Sequence, residues 1–188
     1  MTTTTIQIAH FSLEDYHRMI AAGILSDRRV ELLDGLIWEM PPEGTEHTYF
    51  EENLAKRLER LTQGRAYVRE NKPITLSNSE PEPDIVVAKL PRSQYLEHHP
   101  FPTNILLLVE VSKSTLERDT SVKKKVYASE NISEYWVVDV AGRKLIVYRL
   151  PASGDYQQRT ELSANETISP LAFPDVEIAI AQIFSVDY

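Results

Sequence analysis

Residues 80–89, EPEPDIVVAK, and residues 105–112, ILLLVEVS, decide how this chain is read. Each holds a short, unbroken apolar run bounded by polar or proline-rich sequence. That is the pattern of a β-strand covered on both faces, where alternation with polar residues disappears. A third such run, EYWVVDV at 134–140, follows the segment ERDTSVKKKVYASEN at 117–131. In that segment Val122, Val126 and Ser129 lie about one helical turn apart, with Lys123 and Tyr127 alongside. The spacing predicts a helix over 120–130 that stops at Asn131. Strand, strand, helix, strand makes the expected fold class α/β, a mixed sheet flanked by helices.

The flanks fill in around that centre. Ser12, with Asp15 three residues on, opens a short helix over 12–22. VELLDGLIWEM at 30–40 reads as a hairpin about Asp34-Gly35, the strongest short turn signal in the chain. Tyr49 or Phe50, Leu54, Leu58 and Leu61 give a long amphipathic helix over 46–63. AYVRENKPITLS, at 66–77, suggests an extended strand that Pro73 places at an edge or bend. The run 91–104 reads as an irregular excursion. KLIVYRL after Ala141-Gly142 is the hairpin partner of the third core strand. YQQRTEL is a further strand, and VEIAIAQIF closes the core. The whole chain is expected to form one domain, with residues 1–11 as a loose leader.

Two acids stand out within this frame. Asp84 lies at the entry of its strand. Glu110 continues the row Leu106, Leu108 on one face of the next, with Ser112 beyond it. A carboxylate in such a row needs a partner, because burying its charge alone costs several kcal/mol or raises its pKa. A divalent cation is one solution: Asp84, Glu110, the carbonyl of Val111 and waters would make a Mg²⁺ set. A lysine from the following helix is the other.

Bulk properties narrow the function classes. The chain has 188 residues, 42% hydrophobic and 26% charged, which suits a globular protein with a sizeable core. It has no cysteine, so disulfides, thiolate catalysis and cysteine-ligated zinc are excluded. No basic-and-apolar signal segment and no run of about 18 apolar residues occurs, so no membrane association and a cytoplasmic location are expected. A net charge of −8 counts against a protein that coats nucleic acid, though a metal-dependent nuclease needs only a local basic rim. RDTSVKKK (118–125) is the one dense basic cluster, and a solvated helix face is its commoner meaning. His98-His99 fits a flexible loop better than a metal pair.

Taken together, PD at 83–84, EVS at 110–112, D-x-x-x-K-x-x-x-Y at 119–127 and EYWVVD at 134–139 resemble the Uma-type restriction endonucleases, grouped with the PD-(D/E)xK nucleases. The likeness extends upstream to VELLDGLIWEM and His47 and covers nearly the whole chain. It implies a restriction-endonuclease-like core, with Asp84 and Glu110 holding Mg²⁺ or Mn²⁺ and a DNA phosphodiester as substrate. One position departs from the superfamily: Ser112 stands where ExK would place a lysine. The resemblance supplies Lys123 instead, from the next helix, and Asp119, Lys123 and Tyr127 can share one helix face. Glu31 falls where the family shows an acid and joins the candidate catalytic residues, with an exposed hairpin glutamate as the alternative. His47 reads more simply as a helix-start histidine, and Glu82 as loop charge. A homodimer is expected, since cutting both strands of a duplex commonly uses two sites about a twofold axis. The alternative function is a catalytically silent member of the fold that acts in binding or assembly.

Overall fold

The computed structural model describes residues 8–186. Helix α1 (Leu13–Ala21) opens with Ser12 and Asp15 capping each other's backbone, as the spacing predicts. Strands β1 (Val30–Leu33) and β2 (Leu36–Glu39) form the expected hairpin. Asp34 and Gly35 both take positive φ, 49° and 72°, as a tight two-residue turn requires. At Gly35 a Cβ would also meet His10 at 2.9 Å, so only glycine fits. His10 and Phe11 are pinned to that turn by hydrogen bonds to Asp34 and Gly35, which corrects the expectation of a loose leader for residues 10 and 11. Residues 1–7 of that leader lie outside the described residues.

Helix α2 (Thr45–Leu61) leads to a six-stranded sheet with the order β3-β4-β5-β6-β7-β8. Its strands are β3 (Tyr67–Glu70), β4 (Ile85–Ala88), β5 (Ile105–Ser112), β6 (Glu134–Asp139), β7 (Lys144–Ala152) and β8 (Asp155–Leu162). Only β5 and β6 run parallel; every other pair is antiparallel. A parallel pair needs a crossover, and the helical segment after β5 supplies it. Strand β3 is shorter than the sequence suggests, because the backbone leaves the ladder before Pro73. It lies at the sheet edge, as that proline requires.

The crossover differs most from expectation. Instead of one helix over 120–130, it comprises α3 (Leu116–Arg118), a π-helical turn (Asp119–Lys123) and α4 (Lys124–Ser129). The π turn inserts extra backbone into one helical repeat, and such turns are frequent at functional sites. Asn131 ends the helix with φ 58°, the left-handed cap its side chain tolerates. The tail adds β9 (Thr167–Ile168), β10 (Ile178–Ala179) and α5 (Ile180–Ile183).

Two apolar layers hold the sheet. On one side α2 and the tail pack Phe50, Leu54, Leu58, Ile180 and Ile183 against Val87, Val109 and Trp136. On the other, Leu33, Ile74, Val126 and Tyr127 cover Val86, Leu108 and Tyr135. Leu108 is fully buried between β4 and β6, so truncating it to alanine costs about 2–5 kcal/mol. The alternation on β5 starts at Leu108 and not at Leu106. A register shift beside Val87 and Ala88 turns Leu106 toward the α2 layer.

Candidate active site

The β4–β5 ladder positions the two acids. Ile85 pairs with Val109, so the next residues outward, Asp84 and Glu110, come side by side where the ladder ends. Asp84 Oδ2 accepts a 2.5 Å hydrogen bond from the N–H of Val111, which fixes its carboxylate against β5. Val111 thus meets Asp84 through its N–H.

Glu110 is met from above by the crossover. Lys123 Nζ donates to its Oε1 at 2.9 Å, and the Tyr127 hydroxyl donates to the same oxygen at 2.7 Å. The lysine also lies 3.1 Å from Glu31 Oε2. Lys123 is 1% exposed, Lys124 is half-buried against Asp155, and Lys125 is exposed, so only the first lysine of the run turns inward. Ser112 donates to Asp119 Oδ2 at 2.7 Å and ties the π turn to the end of β5. The Ser112 hydroxyl therefore anchors the segment that carries Lys123.

Glu31 is fully buried, not an exposed hairpin residue. The N–H of Glu82 donates to its Oε2 at 3.3 Å, and Arg118 stands 3.6 Å from its Oε1. His47 Nε2 lies 3.2 Å from Asp84 Oδ2, and its Nδ1 faces Glu51 Oε2 at 3.7 Å. The reading of His47 as a plain helix-start residue is corrected by that contact. Glu82 is corrected too, since it lines the same cleft and is half-buried. The cleft encloses about 240 Å³ and is lined by Asp84, Glu110, His47, Lys113, Arg118 and Lys123 among others.

Charge around Lys123 is unbalanced. Four buried carboxylates, Glu31, Asp84, Glu110 and Asp119, act on that one buried ammonium, with Arg118 beside Glu31 and Asp119. Burial pushes the Glu110 carboxyl well above its usual range; Lys123 opposes this, while Asp84, Asp119 and Glu31 add to it. Burial alone would lower Lys123, but Glu110 and Glu31 hold it above an ordinary lysine. Burial and the charge of Asp84 push Glu51 up to about 8. Burial lowers His47, but the hydrogen bond and charge of Asp84 outweigh it and leave the imidazole above its usual value. Among the described residues nothing donates to Asp84 Oδ1 or Glu110 Oε2, and both residues line the cleft. Glu31 Oε1 and Asp119 Oδ1 are buried without a hydrogen-bond partner. An acidic site with free carboxylate oxygens suits a divalent cation. A second set also has ligand spacing: Glu43, His47 and Glu51 offer atoms within 4.8 Å of one another.

Residues 13–181 match the Uma2 family, described as "Putative restriction endonuclease". The chain belongs to that family. One solved structure, described as a "putative nuclease" from Anabaena variabilis ATCC 29413, superposes with a TM-score of 0.71 at 14% identity. The match covers 93% of this chain and 97% of that one, and it shows that the two share a fold. No curated protein matches the chain. Family membership accords with the motifs at 83–84, 110–112 and 119–127. The residues missed in the sequence are Glu51 and Arg118. The four-residue spacing of Glu43, His47 and Glu51, which runs from just before α2 into its first turns, is a usable signal for the first. Nothing in the sequence sets Arg118 apart from the surface cations beside it.

Proposed function

We propose that this Uma2 family member is a metal-dependent endonuclease that hydrolyses phosphodiester bonds in DNA. The observation that carries this reading is the pair of free oxygens, Asp84 Oδ1 and Glu110 Oε2, at a buried acidic cleft beside a buried lysine. Asp84 and Glu110 would hold Mg²⁺ or Mn²⁺, with the Val111 carbonyl as a third ligand. A bound divalent cation supplies Lewis-acid screening of the phosphate and a water of lowered pKa.

The protein's own groups do the rest. Lys123, held by Glu110 and Glu31, presents positive charge where the phosphorus gains negative charge during attack by water. Glu31 orients that ammonium. Tyr127 keeps Glu110 Oε1 occupied, which directs Oε2 to the cleft. In the reaction the attacking water loses a proton as its oxygen bonds to phosphorus, the P–O bond to the leaving sugar oxygen breaks, and that oxygen takes up a proton. A homodimer would place two such sites on the two strands of a duplex.

Plasmid cleavage tests the proposal. Wild-type protein with Mg²⁺ or Mn²⁺ should nick supercoiled DNA, and EDTA should stop it. Asp84→Ala and Glu110→Ala should each lower the rate by about 10²–10³-fold while staying folded by circular dichroism. Nicking that survives in both folded variants would remove the assignment. No Mn²⁺ binding by the wild type at neutral pH would favour the catalytically silent alternative.

A further inference from the structure

We propose that Arg118 is the residue that grips the substrate, taking a backbone phosphate of the nucleic acid in the cleft. This rests on the nuclease reading above and adds the group that binds the ligand. The cleft has three cations along its wall: Lys113, Arg118 and Lys123. Lys123 is 1% exposed and held between two carboxylates, so it has charge to offer the reacting centre but little reach. Lys113 is exposed and pairs with Glu46. Arg118 is different, because its position is fixed while its donors are left over.

Its contacts explain why. The guanidinium stands 3.6 Å from Glu31 Oε1 and 3.5 Å from Asp119 Oδ1. Charge-assisted hydrogen bonds are closer to 2.7–2.9 Å, so these acids steady Arg118 without bonding it tightly. Both acids are engaged elsewhere: Glu31 by Lys123 and the N–H of Glu82, Asp119 by Ser112. The Nε–H of Arg118 is buried and faces Asp119, whereas Nη1 and Nη2 have no hydrogen-bond partner among the described residues and the side chain lines the cleft. Burial lowers its pKa and the surrounding carboxylates more than restore it, so it stays charged. A fixed, planar, charged fork with unused donors in a nuclease cleft fits a phosphate, which guanidinium binds through two parallel hydrogen bonds. Its neighbour Asp119 begins the π turn that ends at Lys123. One short stretch of backbone therefore delivers both the cation for substrate and the cation for chemistry.

The test is the salt dependence of cleavage. Wild type, Arg118→Ala, Arg118→Lys and a control on the far strands, Lys144→Ala, are assayed on linear duplex DNA with Mn²⁺ at several KCl concentrations. Loss of one phosphate contact should lower kcat/KM of Arg118→Ala by about 10- to 100-fold and flatten log(kcat/KM) against log[KCl] by about 1. Arg118→Lys should recover the wild-type slope but not the full rate, because it restores charge without the fork. Lys144→Ala should match wild type, and Mn²⁺ affinity should be unchanged throughout. Arg118→Ala with the wild-type slope and rate overturns the inference and leaves the nuclease reading intact. So does a loss explained by weakened Mn²⁺ binding, which would make Arg118 structural. If Arg118→Ala does not fold, Arg118→Lys decides: wild-type kcat/KM in that variant overturns the inference, and a lowered rate at the wild-type slope supports it. Wild-type protein that neither binds nor cuts DNA overturns both.

Discussion

Two buried carboxylates on neighbouring strands, Glu134 at the start of β6 and Glu110 near the end of β5, answer the same physical problem in opposite ways. Glu134 Oε1 accepts from Arg149 twice, at 2.8 and 2.5 Å, and from the indole N–H of Trp136 at 2.9 Å. Its Oε2 accepts from the N–H of Leu171 at 2.7 Å, and Arg149 also donates to Ser169. Every oxygen is used, and one acid meets one base. Glu110 shares its lysine with Glu31, sits near two further acids, and leaves Oε2 unbonded by the described residues. The closed set ties the tail to the sheet. The open set leaves Glu110 Oε2 and Asp84 Oδ1 without a donor among the described residues, as the proposed metal site requires. Burial of an acid is therefore not the functional signal; incomplete satisfaction is.

The sharpest way to break this contrast is to neutralise each acid and compare stabilities. Glu134→Gln leaves Arg149 without its counter-charge and should cost about 3–5 kcal/mol in urea unfolding. Glu110→Gln keeps two acceptor contacts on Oε1 and removes one of four crowded negative charges. It should leave stability unchanged or raise it while abolishing cleavage. Equal, large destabilisation by both would show that Glu110 is a structural acid like Glu134.

How much of this was legible in sequence depends on whether local pattern or chain-distant packing decides a residue's place. The strands at 85–88, 105–112 and 134–139 and the Asp34-Gly35 turn follow from apolar runs and turn chemistry, which are local. The inward turn of Lys123 follows from the Val122/Val126 stripe beside it. The π turn does not: it begins where Asp119 bonds Ser112 on β5, a contact no helical periodicity encodes. Glu31 falls inside the apolar run VELL, where the family shows an acid, whereas Glu51 and Glu82 look like ordinary charged residues in polar surroundings. Only the docking of the hairpin and α2 on the end of the sheet separates them from solvent. Asp84 and Glu110 are readable as a pair because one opens an apolar strand and the other interrupts the next; their free oxygens are not.

The smallest expected effect concerns Glu51, buried behind His47 and held by Asn71 at 2.7 Å. Its carboxyl is raised from 4.5 to about 8, so the folded state binds a proton that the unfolded state releases. That contribution to stability is full below about pH 4.5 and is lost as pH rises through 8. Glu51→Gln cannot ionise and keeps the Asn71 contact. Its melting temperature should match wild type at pH 4 and exceed it increasingly up to pH 9. Parallel curves for the two proteins would mean that Glu51 is ionised in the fold.

Anomalous diffraction from crystals soaked in Mn²⁺ locates the ion directly. A peak in contact with both Asp84 and Glu110, absent in Glu110→Gln, is the predicted result. A peak bound instead by Glu43, His47 and Glu51, or no peak at all, would contradict the assignment of Asp84 and Glu110 as the metal ligands.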